Sequence, residues 1–147
     1  MQHPTSSMLE RSAVHLLHRM SQHASDTFAR SVGDRYDLTA RQLAVLSAIA
    51  ESEGVTQTEI CRKTGIDRST LADIIKRMLR KGLLERSRAA NDARAYAVGL
   101  SQNGRTVLAT VAPLTAAVDD AIFAPLPLEI RQQFLTALAL IVKDGNP

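Results

Sequence analysis

Apolar residues recur at intervals of three and four positions near the start of the chain, from Leu9 to Phe28. This spacing places them on one side of a helix, so the sequence predicts a long amphipathic helix that begins near Ser7. Gly33 and the polar residues that follow it are predicted to interrupt this helix. The helix therefore carries a long apolar face that needs a partner.

Two further helices are predicted in the last third of the chain. Ser101 is a suitable N-cap for the first of them, and Pro113 should bend it because proline removes a backbone donor and crowds the preceding turn. Pro125 and Pro127 should end that helix and start the last one. Apolar positions follow helical spacing in both, at Val107, Val111, Leu114, Val118 and Ile122, and then at Ile130, Phe134, Leu138 and Ile141.

The middle of the chain carries three signals for helix starts. Thr39 and Thr56 are each followed three residues later by Gln or Glu, which is the capping-box pattern, and Asp67 can cap the next helix. Gly65 should end the second of these helices and Gly82 the third. The third has its apolar residues at Leu71, Ile74, Ile75, Met78 and Leu79. Its short turn from the preceding helix predicts a helix-turn-helix.

The segment ERSRAANDARAYAVGL, residues 85–100, has the two-residue period of a short hairpin. On one face of its strands, apolar residues at the base give way to arginines near the tip. The residues of this face are Leu84, Arg86, Arg88, Arg94, Tyr96, Val98 and Leu100. A basic hairpin directly after a helix-turn-helix indicates a winged helix. The predicted fold class is therefore mainly α with a small β-wing.

Positive charge is concentrated in the same region. Residues 62–94 contain ten Lys or Arg and four Asp or Glu, a segment charge of +6 in a chain whose total is only +3. Such asymmetry is typical of a protein that binds a polyanion, and a solvated charged surface is the alternative. No apolar run approaches the ~20 residues of a membrane helix. The N-terminus lacks the order of a secretory signal, so a cytoplasmic location is expected.

Four motifs together resemble the MarR family of bacterial transcriptional regulators. They are LTARQLAVL at 38–46, TQTEICRKTGIDRSTL at 56–71, KGLLER at 81–86 and DARAYAVGLSQNG at 92–104. Two residues depart from the family pattern. Ser101 replaces the usual threonine, and Asp73 stands where many relatives have a basic residue.

The resemblance spans nearly the whole chain and implies a single domain, residues 1–147. Residues 38–101 would form the winged helix-turn-helix lobe, and the helices of 1–35 and 104–147 would mediate dimerisation. A two-fold dimer presents two recognition helices to half-sites about one turn apart. The implied function is a homodimeric repressor that binds an inverted-repeat operator in double-stranded DNA.

With its apolar side buried, the third capped helix presents a polar face that fits the ~12 Å major groove. Arg68 is placed to reach a guanine edge or a phosphate. Asp73, an acceptor only, should favour the amino group of cytosine unless it pairs with Arg77 or Lys76. The predicted DNA-binding residues are Thr56, Gln57, Arg68, Ser69, Thr70, Asp73, Lys76 and Arg77 in the helices and Arg86, Arg88, Asp92 and Arg94 in the wing.

Arg94 is the wing residue best placed to enter the minor groove, where narrow A·T-rich segments concentrate negative potential. By resemblance to the family, Asp92 pairs with Arg94 or Arg86 and fixes the shape of the wing. Replacing Arg94 with alanine should weaken operator binding at least about tenfold and leave the thermal midpoint nearly unchanged. An unchanged affinity in a DNA titration would remove the wing from the interface.

Regulators of the MarR family commonly release DNA when a small molecule, often aromatic, binds between the dimer helices and the DNA-binding lobe. The resemblance therefore implies an effector site, for which the candidates are His15, His18, Arg19, Gln22 and Leu46. These side chains suit an aromatic carboxylate or an acyl-CoA thioester, and a solvated helix face is the alternative. The histidine spacing is too loose to predict a metal site, and no cofactor is expected.

Two other functions are alternatives. A redox-sensing role for Cys61 is one, because the adjacent Arg62 and Lys63 favour a reactive thiolate. Its place beside the apolar Ile60 favours a packed structural thiol instead. A winged helix that binds an acidic protein partner is the other. An enzyme is not expected, since the sequence has no glycine-rich phosphate loop and no Ser/His/Asp set in a suitable context.

Overall fold

A computed structural model describes residues 7–52, 54–88 and 96–145. The helices of these residues are α1 (Met8–Arg11), α2 (Ala13–Phe28), α3 (Asp34–Tyr36), α4 (Ala40–Ala50), α5 (Gln57–Thr64), α6 (Arg68–Arg80), α7 (Gln102–Val111), α8 (Thr115–Ile122) and α9 (Leu128–Asp144). The strands are β1 (Leu84–Arg88) and β2 (Tyr96–Leu100). The predicted fold class is confirmed. Asp92, Arg94 and the side chain of Arg88 lie outside the described residues.

The N-terminal helical segment continues further than the sequence predicts. The interruption expected at Gly33 is wrong, because a π-helical turn, Ala29–Gly33, runs into α3 and the segment ends only at Asp37. Asp37 has a left-handed conformation, with φ of 49°. Gly33 is buried, and a Cβ there would lie 2.7 Å from the carbonyl oxygen of Leu38. The glycine therefore permits a close approach within the fold and does not end the helix.

The helix starts predicted in the middle of the chain are confirmed. Thr39 and Thr56 each form a capping box, and the Asp67 carboxylate accepts the backbone N–H of Thr70 at the start of α6, at 2.9 Å. Gly65 has φ of 69°, a conformation that favours glycine and turns the chain between α5 and α6. Helices α5 and α6 thus form the predicted helix-turn-helix.

The wing is an antiparallel pair of strands whose base enters the core. Its register places Leu84 opposite Leu100 and Arg86 opposite Val98, as the two-residue period requires. The three apolar residues of this set are buried. The sequence did not predict that Val98 also donates its backbone N–H to the carbonyl of Val55, at 3.2 Å. Val55 forms an isolated bridge and is not part of a strand, so no alternating pattern in the sequence predicts this contact.

One hydrophobic core joins the helix-turn-helix, the base of the wing and the helices that follow it. Its largest fully buried side chains are Val32, Val45, Leu46, Ile60, Leu71, Ile75, Met78, Val98 and Val111. Helix α6 contributes three of them, so its orientation is fixed by packing along one whole side. Its opposite side is left for solvent or a partner.

The C-terminal helices follow the predicted proline pattern but leave apolar surface exposed. Pro113 lies in a 3₁₀ turn, Ala112–Leu114, between α7 and α8, and α9 begins directly after Pro127. No residue of α9 is buried. The large apolar side chains exposed on α1, α2 and α9 are Met8, Leu9, Val14, Leu16, Leu17, Leu128, Ile130, Leu135, Leu140, Ile141 and Val142. None of the described helices combines the length and apolar character of a membrane span.

Candidate nucleic-acid interface and ligand cavity

Helix α6 separates its apolar and polar residues cleanly. Leu71, Ile75 and Met78 are buried, and Ile74 and Leu79 pack against the same core. On the other side Thr70 is half-buried, whereas the remaining predicted contacts of this helix are exposed: Arg68, Ser69, Asp73, Lys76 and Arg77. The structure therefore brings the predicted residues of α6 together on one accessible face.

The first turn of that face is organised by Asp67. Its Oδ1 accepts the hydroxyl of Ser69 at 2.8 Å and the backbone N–H of Thr70 at 2.9 Å. Hydrogen bonds from the hydroxyl and backbone of Thr70, and then from Ser69, hold the pKa of Asp67 well below its usual range. The Ser69 hydroxyl is thus engaged in the cap, and the carboxylate remains ionised at any ordinary pH.

Thr56 has a similar local role at the start of α5. Its hydroxyl and its backbone N–H both donate to Oε2 of Glu59, at 2.9 and 2.7 Å. These bonds from Thr56, first the backbone and then the hydroxyl, lower the pKa of Glu59. Gln57, the first residue of α5, is half-buried. Of the two residues predicted here, Gln57 has the side chain that the capping box leaves available.

Asp73 is exposed in the middle of the polar face. Within the described part of the chain it forms no ion pair with Arg77 or Lys76, the partners that the sequence offers for an intrahelical pair. Its carboxylate is directed away from the core together with the arginines around it. An acidic acceptor in a basic face can discriminate between bases, because it accepts a hydrogen bond only from a base edge that presents a donor.

The wing is fixed where it leaves the helices. The backbone N–H of Ser101 donates to the carbonyl of Leu83 at 3.1 Å, and its hydroxyl donates to the carbonyl of Gly82. Ser101 also caps α7 by accepting the backbone N–H of Gly104 at 3.0 Å. A Cβ on Gly104 would overlap the carbonyl oxygen of Leu83 and lie 3.0 Å from its carbon. The base of the wing and the start of α7 therefore form one tightly packed unit.

The end of α6 is tied to the N-terminal helical segment. Lys81 Nζ lies 2.8 Å from Oδ2 of Asp37 and also donates to the backbone carbonyl of that residue. At the other side of the lobe, Lys63 on α5 pairs with Glu51 after α4 at 3.0 Å. Both pairs are partly exposed, so each contributes little energy; the first joins the end of α6 to Asp37 and the second joins α5 to the end of α4.

A cavity of about 640 Å³ lies between α2, α4, α8 and the turn that precedes α6. Its lining is mostly apolar, with hydroxyls from α2, α4 and α8 and from Thr64 at the end of α5. The residues that line it are Ser21, Ala24, Ser25, Phe28, Ala40, Arg41, Leu43, Ala44, Ser47, Thr64, Gly65, Ile66, Asp67, Thr115, Val118, Asp119 and Ile122. Among these, Arg41 is the only cation, and Asp67 and Asp119 are the carboxylates. Its size and its few polar groups are typical of a small-molecule site.

The residues predicted to bind an effector do not line this cavity. His15, His18, Arg19 and Gln22 lie on α2, but the cavity is lined by other residues of that helix, beginning at Ser21. Leu46 is not among the lining residues either, and its side chain is 0% exposed within the core.

A different signal identifies the cavity. Small residues recur at helical spacing on α2, at Ser21, Ala24 and Ser25, and on α4, at Ala40, Ala44 and Ser47. Two facing stripes of small side chains leave space between helices. These stripes carry no charged side chain, whereas the histidines and the arginine of α2 lie on other positions of the helix.

Cys61 is partly buried and packs against the hydrophobic core. This is the environment that the structural interpretation of the cysteine predicts, since a free cysteine behaves as a small apolar residue when packed. The adjacent positive charge does not change that packing.

Comparison with known proteins agrees with the observed fold. The sequence model of the MarR family matches residues 36–95. The transcriptional regulator HosA of Escherichia coli O127:H6 (strain E2348/69 / EPEC) is 32% identical over 127 residues, which cover 86% of this chain and 92% of HosA.

Two solved structures extend the comparison to nearly the whole chain. Bordetella bronchiseptica BpsR, whose DNA binding is regulated by 6-hydroxynicotinic acid, has a TM-score of 0.81 and 25% identity, covering 94% of this chain and 99% of BpsR. The transcriptional repressor CouR, bound to a 23-mer DNA duplex, has a TM-score of 0.82 and 26% identity, covering 96% and 99%. The chain belongs to the MarR family of transcriptional regulators.

Proposed function

We propose that this protein is a homodimeric repressor that binds an inverted-repeat operator and is released from it by a small aromatic acid. The observation that carries the DNA-binding part is the exposed face of α6. This face presents basic and hydroxyl side chains on a helix whose other side is anchored in the core. The similar structure of CouR on a DNA duplex supports this use of the fold.

In the proposed complex α6 lies in the major groove. Arg68, at its N-terminal end, is placed to contact a guanine edge or a phosphate, and Lys76 and Arg77 are placed to contact phosphates. Asp73 would select cytosine, whose amino group is a donor. Arg86 lies on β1, the first strand of the wing, and is exposed, so that it adds a cation of the wing to the basic surface of α6.

The exposed apolar side chains at the two ends of the chain support the dimer. Helices α1, α2 and α9 would otherwise leave eleven large apolar residues in water, far more than the scattered ones that a monomer tolerates. A second copy of the chain is the partner that the family resemblance implies. A monomeric mass at micromolar concentration, measured by sedimentation or light scattering, would contradict the dimer.

The cavity supports the proposal that a small aromatic acid binds the protein. A single-ring acid fits within 640 Å³, with its ring against Phe28 and Ile122 and its carboxylate toward Arg41. An acyl-CoA thioester carries several phosphates, which need several cations, whereas Arg41 is the only cation of the described lining. The structure therefore favours the free acid over the thioester.

The effector is tested with matched pairs of acids that differ in one ring hydroxyl: 4-hydroxybenzoate with benzoate, and 6-hydroxynicotinic acid with nicotinic acid. We expect at least one acid to bind the protein by calorimetry and to weaken operator binding by about tenfold, a coupling typical of allosteric proteins. Replacing Arg41 with glutamine should reduce the binding of that acid. If none of the four acids weakens operator binding, the proposed effector class is wrong.

A further inference from the structure

Asp67 takes part both in the N-terminal cap of α6 and in the wall of the cavity. Its carboxylate caps the first turn of α6 through Ser69 and Thr70, and the same residue lines the cavity. The three residues before it also line the cavity: Thr64 ends α5, and Gly65 and Ile66 belong to the turn of the helix-turn-helix. The wall of the ligand cavity is therefore continuous with the N-terminus of the recognition helix.

The chemistry of Asp67 makes it responsive to a ligand. An ionised carboxylate accepts hydrogen bonds at about four lone-pair positions. The cap uses three donors, of which the Ser69 hydroxyl and the Thr70 backbone N–H fall on Oδ1 and the Thr70 hydroxyl is the third. The residue thus has acceptor capacity for a donor in the cavity. A second carboxylate is repelled there, so an aromatic acid should direct its own carboxylate to Arg41 and its opposite end to Asp67.

We propose that Asp67 transmits occupancy of the cavity to the recognition helix. A ligand that carries a ring hydroxyl or ring N–H donates to the Asp67 carboxylate and draws it away from Ser69 and Thr70, so that the first turn of α6 loses its cap. This inference rests on the proposed effector function and adds the residue through which release occurs and the ligand group that causes it.

Loss of the cap affects the residues that face DNA. Arg68, Ser69 and Thr70 are the first three residues of α6. Without the Asp67 acceptor the backbone N–H of Thr70 and the hydroxyl of Ser69 lose their partner, and the first turn loses its cap. The remainder of α6 stays packed through Leu71 and Ile75. The change is therefore confined to the turn that positions Arg68.

The test compares Asp67→Asn, Asp67→Ala and the control Asp26→Asn. Asparagine keeps a cap oxygen but replaces one carboxylate oxygen by a donor, whereas alanine removes the cap. Asp26 is exposed on α2 and does not line the cavity, so its substitution makes the same change of charge elsewhere. The quantity measured is the ratio of operator Kd with saturating acid to operator Kd without it, so that changes in basal affinity cancel.

With 4-hydroxybenzoate or 6-hydroxynicotinic acid, we expect this ratio to be about ten or more in wild type and in Asp26→Asn. In Asp67→Asn it should fall below about three, and in Asp67→Ala operator binding should already be roughly fivefold weaker without acid. Benzoate and nicotinic acid, which lack the hydroxyl, should give small ratios in every protein. In wild type the hydroxylated acid should also accelerate hydrogen exchange of the Thr70 amide.

Two results would overturn the inference and leave the proposed function intact. One is an Asp67→Asn ratio equal to that of wild type, and the other is a Thr70 amide whose exchange is unchanged by an acid that releases DNA. A wild-type protein whose operator binding is weakened by none of the acids would instead overturn the effector function, and the inference with it.

Discussion

Replacing Gly104 with alanine should lower the free energy of unfolding by at least about 2 kcal/mol. The added Cβ would overlap the carbonyl oxygen of Leu83 and lie 3.0 Å from its carbon. Both atoms belong to the backbone, so no side chain can rotate to make room. Overpacking typically costs roughly 1–3 kcal/mol and occasionally more, and an overlap with backbone atoms belongs at or above the upper end of that range. The better helix propensity of alanine offsets about 1 kcal/mol, which leaves a loss of at least about 2 kcal/mol.

The substitution should also impair DNA binding. The carbonyl of Leu83 accepts a hydrogen bond from the backbone N–H of Ser101 at the base of the wing, so a shift of Leu83 would move the wing. Gly99→Ala is the matched control. A Cβ at Gly99 would meet only the Cγ of Glu85, at 4.0 Å, and should change stability by less than about 0.5 kcal/mol. Urea unfolding of the two variants measures the difference. A Gly104→Ala protein as stable as Gly99→Ala would contradict the close packing of this unit.

Replacing Arg68 with alanine should weaken binding to the operator by about 10- to 100-fold, as expected for the loss of an arginine that contacts a base edge. Arg68 is exposed, and none of the described residues forms an ion pair with it. Its removal should therefore leave the unfolding free energy within about 0.5 kcal/mol of wild type.

Arg30→Ala provides the control for charge. Arg30 is exposed in the π-helical turn, outside the helix-turn-helix, and its loss changes the net charge by the same amount. We expect it to weaken operator binding by less than about threefold, since only general attraction is reduced. Equal effects of Arg30→Ala and Arg68→Ala would mean that α6 does not read the DNA.

Local signals in the sequence were enough to predict the DNA-binding lobe. Each capping residue is followed by its partner within three positions, as with Thr56 and Glu59, and the apolar spacing of α6 identifies its buried side without knowledge of the rest of the fold. The two-residue period of the hairpin predicted, for the same reason, which of its residues share a face.

Features that depend on distant parts of the chain were not predicted. Gly33 was interpreted as a helix stop because the approach of Leu38 is a property of the fold. The cavity was not predicted, because small side chains such as those of Ala24 and Ala44 leave the space between the helices. The effector site was instead assigned to polar side chains such as His18, which lie on another part of α2. Spaces between helices are set by packing, which local patterns do not encode.

A dimer that reads duplex DNA through α6 is the central claim, and it is tested most directly by a titration of the wild-type protein with labelled duplexes at several salt concentrations. The operator is first selected from random duplexes. We expect an inverted repeat that binds two protomers at least about 10³-fold more tightly than unrelated DNA. The logarithm of its affinity should fall steeply with the logarithm of the salt concentration. Equal affinity for all duplexes, or binding that salt does not weaken, would contradict the claim.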